Sequence, residues 1–211
     1  NALVERKGPR LGVIVAAGDD LDVLLPAGPL RSLFDTLVAG RVERIDGALP
    51  PDALDTGVTR AVNALTAASA SRLVVSLGTA DFVRQERAIE RVVLRRYPTH
   101  LLGAVPVTVA GEMTQDPDPA RRLFTALFNT FLHPAMERFL YSAEHRLKQH
   151  RTRNPLLVFR NDGGSARVAK TIALKTYSSG PRGGMEGARA LARHYRRPHL
   201  RTYGCGGTTT D

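Results

Sequence analysis

The sequence predicts a three-layer α/β domain with a mixed sheet and helices on both faces. Its clearest element is the run 72–77, which is apolar through its middle, as expected of a central parallel strand. Helical spacing follows over 82–97, and a second strand is predicted at 105–110. Strand–helix–strand alternation of this length is typical of a βαβ unit. Two further strands of the same sheet are predicted at 11–15 and 156–159.

The helices are predicted from their start signals and apolar spacing. Pro51 precedes an acidic first turn, and Leu54, Val58, Ala61, Val62 and Leu65 then share one helical face. Asp55-Thr56-Gly57 resembles a phosphate-loop motif, but its place inside this periodic helix favours coincidence. Residues 30–42 fit either a helix or a strand. A long helix is predicted over 120–149, divided by Pro134. Pro106 predicts that the strand at 105–110 lies at a sheet edge.

Composition limits the class of protein. The chain has 211 residues, 43% hydrophobic and 24% charged, which is typical of a soluble globular domain. No apolar run approaches the ~20 residues that a membrane-spanning helix needs, so no membrane partner is expected. Cys205 is the single cysteine, which excludes an intramolecular disulfide and a cysteine-rich metal site and favours a cytoplasmic location.

Positive charge is concentrated in the last third of the chain. The net charge is +10, and residues 151–211 carry two Lys and ten Arg against three acidic residues. Such a segment can attract a nucleotide or a nucleic acid, or it can be a basic surface that an acidic partner segment covers. We do not expect a nucleic-acid partner, because few aromatic residues are available for base stacking.

Three glycine-rich turns follow residue 154. They are Asn161-Asp162-Gly163-Gly164, Ser179-Gly180-Pro181 and, after a predicted short strand at 200–203, Gly206-Gly207-Thr208-Thr209-Thr210-Asp211. Glycine allows backbone N–H groups to approach an anion closely, because no Cβ is in the way. The third turn adds three hydroxyls and a carboxylate, which are groups suited to holding a phosphate and its metal ion. Asn-Asp-Gly is also a strong turn signal by itself.

These turns resemble those of the hydantoinase A/oxoprolinase family, whose members include ATP-using hydantoinases, 5-oxoprolinases and acetone carboxylase β subunits. The resemblance is strong after residue 154 and extends upstream through Leu11-Gly12-Val13-Ile14-Val15 and through Gln85-Glu86-Arg87. The family belongs to the actin-like ATPase superfamily, in which two ribonuclease-H-like α/β lobes close on a nucleotide. The resemblance implies that residues 1–153 are the second half of the first lobe. Residues 154–211 would cross toward the second lobe and end in its phosphate loop.

The resemblance also implies roles for the residues of the turns. Gly206, Gly207, Thr208, Thr209 and Thr210 would surround phosphate, and Asp211 would be catalytic and hold Mg²⁺ or Mn²⁺ with ATP. A second set, Asp162, Gly163, Gly164, Ser179, Gly180 and Pro181, would form a hinge or face the substrate. For the residues at 179–181, close packing is the preferred interpretation.

The function implied is ATP-dependent hydrolysis of a cyclic amide, with phosphorylation of a lactam or hydantoin before ring opening. The alternatives are a non-catalytic nucleotide-binding or assembly subunit, or a subunit like the acetone carboxylase β subunit. Gly204 favours the non-catalytic interpretation, because many relatives carry an acidic residue there. By the same resemblance, the chain lacks the family's first phosphate loop. It is then an internal fragment that is inactive alone and needs the remaining lobe or a partner subunit; a homo-oligomer is also expected.

Overall fold

A computed structural model describes residues 3, 5 and 7–205. Its contacts divide these residues into two compact units, the described part of Arg6–Phe131 and that of Leu132–Asp211 together with residues 3 and 5. The first unit holds four strands: β1 Leu11–Ala16, β2 Val42–Ile45, β3 Arg72–Val75 and β4 Val107–Val109. Its helices are α1 Leu21–Leu24, α2 Pro29–Val38, α3 Pro51–Ala67, α4 Phe82–Arg96 and α5 Ala110–Met113. Helix α6, Pro119–Gln149, contributes residues to both units.

The first unit is an α/β fold, as predicted. Its sheet has the strand order β2-β1-β3-β4, and every neighbouring pair is parallel. Strand β3 lies between β1 and β4 with Leu73, Val74 and Val75 fully buried, so its central position is confirmed. Strand β4 lies at an edge, as Pro106 indicated. The apolar strand β1 and the apolar residues Leu73–Val75 of β3 are characteristic of a parallel sheet covered on both sides.

The prediction that 156–159 joins this sheet is wrong. Strand β5, Leu157–Phe159, instead pairs antiparallel with β6, Ser165–Arg167, in a separate two-stranded sheet. The turn at 161–164 is short enough to fold the chain back at once, so the following segment supplies the partner strand. Leu157 is exposed, which is not expected of a strand in a covered parallel sheet.

The core of the first unit confirms the predicted helical face of α3. Leu54, Val58, Ala61, Val62 and Leu65 are all buried and belong to one cluster with β1, β3 and α4. The Asp55-Thr56-Gly57 sequence lies inside α3, and the Asp55 carboxylate binds the guanidinium groups of Arg95 and Arg96 on α4. Asp55 therefore joins two helices of the fold.

Two other helices refine the sequence prediction. The ambiguous stretch 30–42 is mainly helical, since α2 runs to Val38 before the short β2. Helix α6 begins where the Asp118 carboxylate accepts hydrogen bonds from the backbone N–H groups of Ala120 (2.8 Å) and Arg121 (3.4 Å). The expected division at Pro134 is wrong, because α6 continues through it to Gln149.

The second unit contains the end of α6, the β5–β6 hairpin, two 3-10 turns at Val168–Lys170 and Ala173–Thr176, and helix α7, Ser179–His194. Leu140 of α6, Val158 of β5 and Val168 form its small buried cluster. The predicted strand at 200–203 is wrong, since these residues are exposed and irregular. Within the described residues, no helix combines the length and apolarity that crossing a membrane requires.

Candidate functional site

The first glycine turn joins β5 to β6, and its geometry depends on glycine. Gly163 has φ +85°, in the left-handed region that side chains disfavour. Its N–H donates to the Arg160 carbonyl at 2.9 Å, and the Arg160 N–H donates to the Gly164 carbonyl at 2.9 Å. The Asp162 side chain closes the turn, because its Oδ1 accepts the Gly164 N–H at 3.0 Å. The turn signal at Asn161–Gly164 is thus realised as a tight hairpin.

Four donors surround the Asp162 carboxylate. Oδ1 accepts from the Gly164 N–H and from Arg160 Nε at 3.2 Å. Oδ2 accepts from Lys175 Nζ at 3.0 Å and lies 3.2 Å from Arg160 Nη2. The Gly164 hydrogen bond, the Lys175 hydrogen bond and the charge of Arg160 together lower the pKa of Asp162 from 3.8 to about 2. Each oxygen already has two partners, so the carboxylate is suited to fixing this turn.

The titration of Asp162 is directly measurable. We expect the carboxyl carbon of Asp162 to titrate near pH 2 in a carbon-detected NMR experiment, and Lys175→Met to raise that midpoint. Lys170→Met, an exposed change in the preceding 3-10 turn, is the matched control and should leave the midpoint unchanged. Since the folded-state pKa is lowered, the stabilisation exists above pH 3.8 and is lost as the pH falls through about 2. A wild-type midpoint near 3.8 would contradict this description of the turn.

Asn161 attaches the turn to the segment that leads into α7. Its backbone N–H donates to the Lys175 carbonyl at 2.8 Å. Its side-chain amide donates to the carbonyls of Leu174 at 3.3 Å and Tyr177 at 3.0 Å. Ser178 then takes a left-handed conformation with φ +52°, and α7 begins at the next residue. The first and second glycine-rich segments are therefore neighbours in this unit.

The start of α7 packs on the hairpin. A Cβ built on Gly183 would lie 3.6 Å from the Phe159 ring of β5, which is an ordinary van der Waals distance, so α7 approaches the hairpin here. Arg182 pairs with Glu186 at 2.8 Å, and its Nη2 lies 3.4 Å from a Cβ built on Gly163. Its Nε is buried and has no hydrogen-bond partner among the described residues. Space around Gly180 is open. Gly180 and Pro181 are exposed, so these contacts of α7 are made by later residues, and the packing role of Ser179-Gly180-Pro181 stays a prediction.

The third turn, which carries the predicted phosphate-binding residues, lies outside the described residues. This applies to Gly206, Gly207, Thr208, Thr209, Thr210 and Asp211, whose roles stay predictions. In the part that the structure describes, no group of three or more His, Cys, Asp or Glu side chains is arranged to hold a metal ion. The family resemblance assigns ATP and its metal to residues 206–211.

A buried charged network in the first unit was not predicted as a site. Glu86 on α4 is completely buried, and its Oε1 accepts the Leu77 N–H at 2.8 Å while its Oε2 accepts the Gly111 N–H at 2.7 Å. Burial raises the pKa of Glu86, and these two hydrogen bonds oppose that rise. The carboxylate thus ties the end of β3 to the start of α5.

Arg122 of α6 binds the carbonyl of the same residue, Leu77. It is 2% exposed, its Nη2 donates to the Leu77 carbonyl at 2.8 Å, and its Nη1 donates to the Asp116 carbonyl at 2.7 Å. Its guanidinium lies 3.8 Å from the centre of the Phe82 ring. One residue later, the Gly78 N–H donates to Asp19 Oδ2 at 3.0 Å, and a Cβ on Gly78 would clash with Asp19 Oδ1. Asp19, Glu86 and Arg122 therefore fix the backbone at the carboxyl end of β3.

This network stands where open parallel sheets commonly bind ligands. The chain leaves β1 toward β2 on one side and returns to β3 on the other, so the strand order reverses between β1 and β3. In the sequence, the feature that could have indicated this network is a charged residue beside the apolar face of a helix. Glu86 is such a residue in α4, and Arg122 is one in α6. Among the described residues, the peptide N–H groups of Leu77 and Gly78 are already bonded, so the network is suited to positioning the loop.

Comparisons with known proteins support the predicted family. Residues 122–211 match the family model described as hydantoinase/oxoprolinase. The whole chain is 25% identical to the acetophenone carboxylase gamma subunit of Aromatoleum aromaticum and spans 32% of that protein. Among solved structures, it resembles nucleotide-free acetone carboxylase, with a TM-score of 0.75, 22% identity and 33% of that chain covered. It also resembles the ATP-dependent caprolactamase of Pseudomonas jessenii, with a TM-score of 0.69, 18% identity and 32% of that chain covered.

The chain thus spans about a third of the length of each of these relatives. The two structural likenesses concern the fold, since both identities are below 25%. The family match covers α6 from Arg122 onward, the hairpin, α7 and the third glycine-rich segment, and it confirms the resemblance to the hydantoinase/oxoprolinase family.

Proposed function

We propose that this chain, whose residues 122–211 identify it with the hydantoinase/oxoprolinase family, is part of an ATP-dependent enzyme that opens a cyclic amide. The observation that carries the proposal is the family match, which ends in Gly206-Gly207-Thr208-Thr209-Thr210-Asp211. Caprolactamase, a structural relative, is described as ATP-dependent and is named for a cyclic amide. A cytoplasmic location remains part of the proposal and rests on the single cysteine.

The chemistry explains why such an enzyme would need a nucleotide. An unstrained amide resists attack by water. Transfer of a phosphoryl group from ATP to the amide oxygen makes the carbonyl carbon more electrophilic, so that water adds there and the ring nitrogen leaves as an amine. The acyl phosphate that results is then hydrolysed to the carboxylate and phosphate. In this chain, backbone N–H groups of Gly206 and Gly207 and the Thr208 hydroxyl would bind phosphate oxygens. Asp211 would orient the metal or a water molecule. The Asp162 turn would keep α7 in place relative to the hairpin that it packs on.

A second candidate is a carboxylase subunit. It is favoured by the whole-chain match to the acetophenone carboxylase gamma subunit and by the TM-score of 0.75 to acetone carboxylase. Partner subunits would then be required. A non-catalytic subunit is a third candidate, because the family resemblance implies an acidic residue at the position where this chain has Gly204.

Substrate-dependent release of ADP separates these candidates. The assay uses the longest protein that contains this chain, with Mg²⁺ or Mn²⁺ and ATP. 5-Oxoproline, hydantoin and caprolactam form one set of substrates, and acetone or acetophenone with bicarbonate forms the other. Stimulation by a member of the first set supports the amide proposal. Stimulation by the ketones and bicarbonate alone favours the carboxylase, and tight ATP binding without stimulation by either set favours the non-catalytic subunit.

A further inference from the structure

A groove at the C-terminal end of α6 has the features of a ligand site. The helix ends in a reversal in which Arg151 takes φ +58°. The Arg151 N–H donates to the Lys148 carbonyl at 2.9 Å, and the Thr152 N–H donates to the Leu147 carbonyl at 3.1 Å. The chain then runs back along the last turn of α6 toward β5. The resulting open cavity, which we call the α6 groove, has a volume of about 370 Å³.

Three cationic side chains line the α6 groove. They are Lys148 on α6, Arg153 on the returning segment and Arg167 at the end of β6. Glu144 is the one carboxylate in the lining, and it lies 3.5 Å from Lys148 Nζ. The guanidinium groups of Arg153 and Arg167 make no hydrogen bond or ion pair with another described residue. The lining therefore keeps two cations that are available to an anion.

The remaining wall of the groove is apolar. Leu147, Pro155 and Leu156 line it, and Leu147 exposes 37% of its surface. Arginine binds carboxylate and phosphate oxygens through two parallel N–H donors, whereas an aliphatic wall favours a hydrocarbon body. The volume falls in the range of small-molecule sites, about 300–1,000 Å³.

We infer that the α6 groove binds a small organic carboxylate, with the oxyanion at Arg153 and Arg167 and the hydrocarbon part on Leu147 and Leu156. This site is separate from the glycine turns and does not depend on the proposed ATP-dependent chemistry. A nucleic acid is disfavoured, because the lining offers no aromatic side chain for base stacking. Binding of a nucleic acid in the groove is the competing outcome of the test.

Isothermal titration calorimetry with hexanoate at low ionic strength tests the inference. We expect one saturable site per chain and weaker binding at higher salt, because the arginines are exposed. The double variant Arg153→Gln/Arg167→Gln should raise the Kd about tenfold or more. Arg138→Gln, an exposed change on the same helix but outside the groove, is the matched control and should change the Kd by less than about twofold. Circular dichroism verifies that the variants remain folded.

Two further probes separate the contributions of charge and hydrocarbon. Hexan-1-ol, which lacks the oxyanion, and inorganic phosphate, which lacks the hydrocarbon, should each bind at least about tenfold more weakly than hexanoate. The inference is overturned if hexanoate binding does not saturate, or if Arg138→Gln weakens hexanoate binding as much as the double variant does. It is also overturned if oligothymidine binds more tightly than hexanoate and displaces it.

Discussion

Glu86→Ala is expected to lower the free energy of unfolding by about 3–5 kcal/mol, because it leaves the buried N–H groups of Leu77 and Gly111 without acceptors. Glu86→Gln keeps the shape but presents an NH₂ group to one of these donors. It should cost about 1–3 kcal/mol. The measurement is chemical denaturation followed by circular dichroism. Glu112→Ala, which removes an exposed carboxylate 3.5 Å from Arg87 in the same unit, is the control and should cost less than about 1 kcal/mol.

The pH dependence of the free energy of unfolding provides a second test of the role of Glu86. The pKa of this carboxyl in the folded chain is raised above its ordinary value of 4.5. At a pH between 4.5 and the folded-state pKa, the folded state therefore holds more protons than the unfolded state. The contribution of Glu86 to stability therefore falls as pH rises through that interval. Glu86→Gln should remove this part of the dependence of the free energy of unfolding on pH. A Glu86→Ala variant as stable as Glu112→Ala would show that the described network does not hold the end of β3.

Asp211→Asn is expected to reduce substrate-dependent ATP hydrolysis by about 10²–10³-fold in the longer protein that contains this chain. The substitution keeps the size of the side chain but removes the negative charge that would orient the metal or water. ADP release at saturating substrate is the measurement. Asp81→Asn, an exposed change before α4 that removes the Arg84 ion pair, is the matched control. Loss of less than about threefold in Asp211→Asn would remove Asp211 from the proposed catalytic role.

Local patterns predicted much of the first unit. The apolar residues of β3 and the helical spacing of α3 are properties of neighbouring residues, and both elements were found where these patterns placed them. The strand that pairs with β5 could not be predicted from neighbouring residues in this way. Its short apolar sequence fits a buried strand, but pairing was decided by the turn at 161–164, which returned the chain to β6.

The polar networks were harder to predict, because their partners are distant in sequence. Glu86 receives the N–H of Gly111 twenty-five residues away, and Arg122 reaches the carbonyl of Leu77 forty-five residues away. At the hairpin, Asn161-Asp162-Gly163 indicated the turn, whereas the contribution of Lys175 to the Asp162 carboxylate depends on the 3-10 turn that precedes α7. Burial and electrostatics at these sites required the fold.

Transfer of ¹⁸O from the substrate to phosphate tests the central proposal most directly. The longer protein is incubated with ATP and a lactam that stimulates ADP release, labelled with ¹⁸O at its carbonyl, and the inorganic phosphate is analysed by mass spectrometry. The proposed route begins with phosphorylation of the amide oxygen, after which water adds at carbon and the ring nitrogen leaves, which gives an acyl phosphate. A second water attacks the acyl carbon and releases phosphate, so one ¹⁸O is expected in each phosphate released with ring-opened product. Ring opening with all of the ¹⁸O retained in the product carboxylate and none in phosphate would contradict the proposed route.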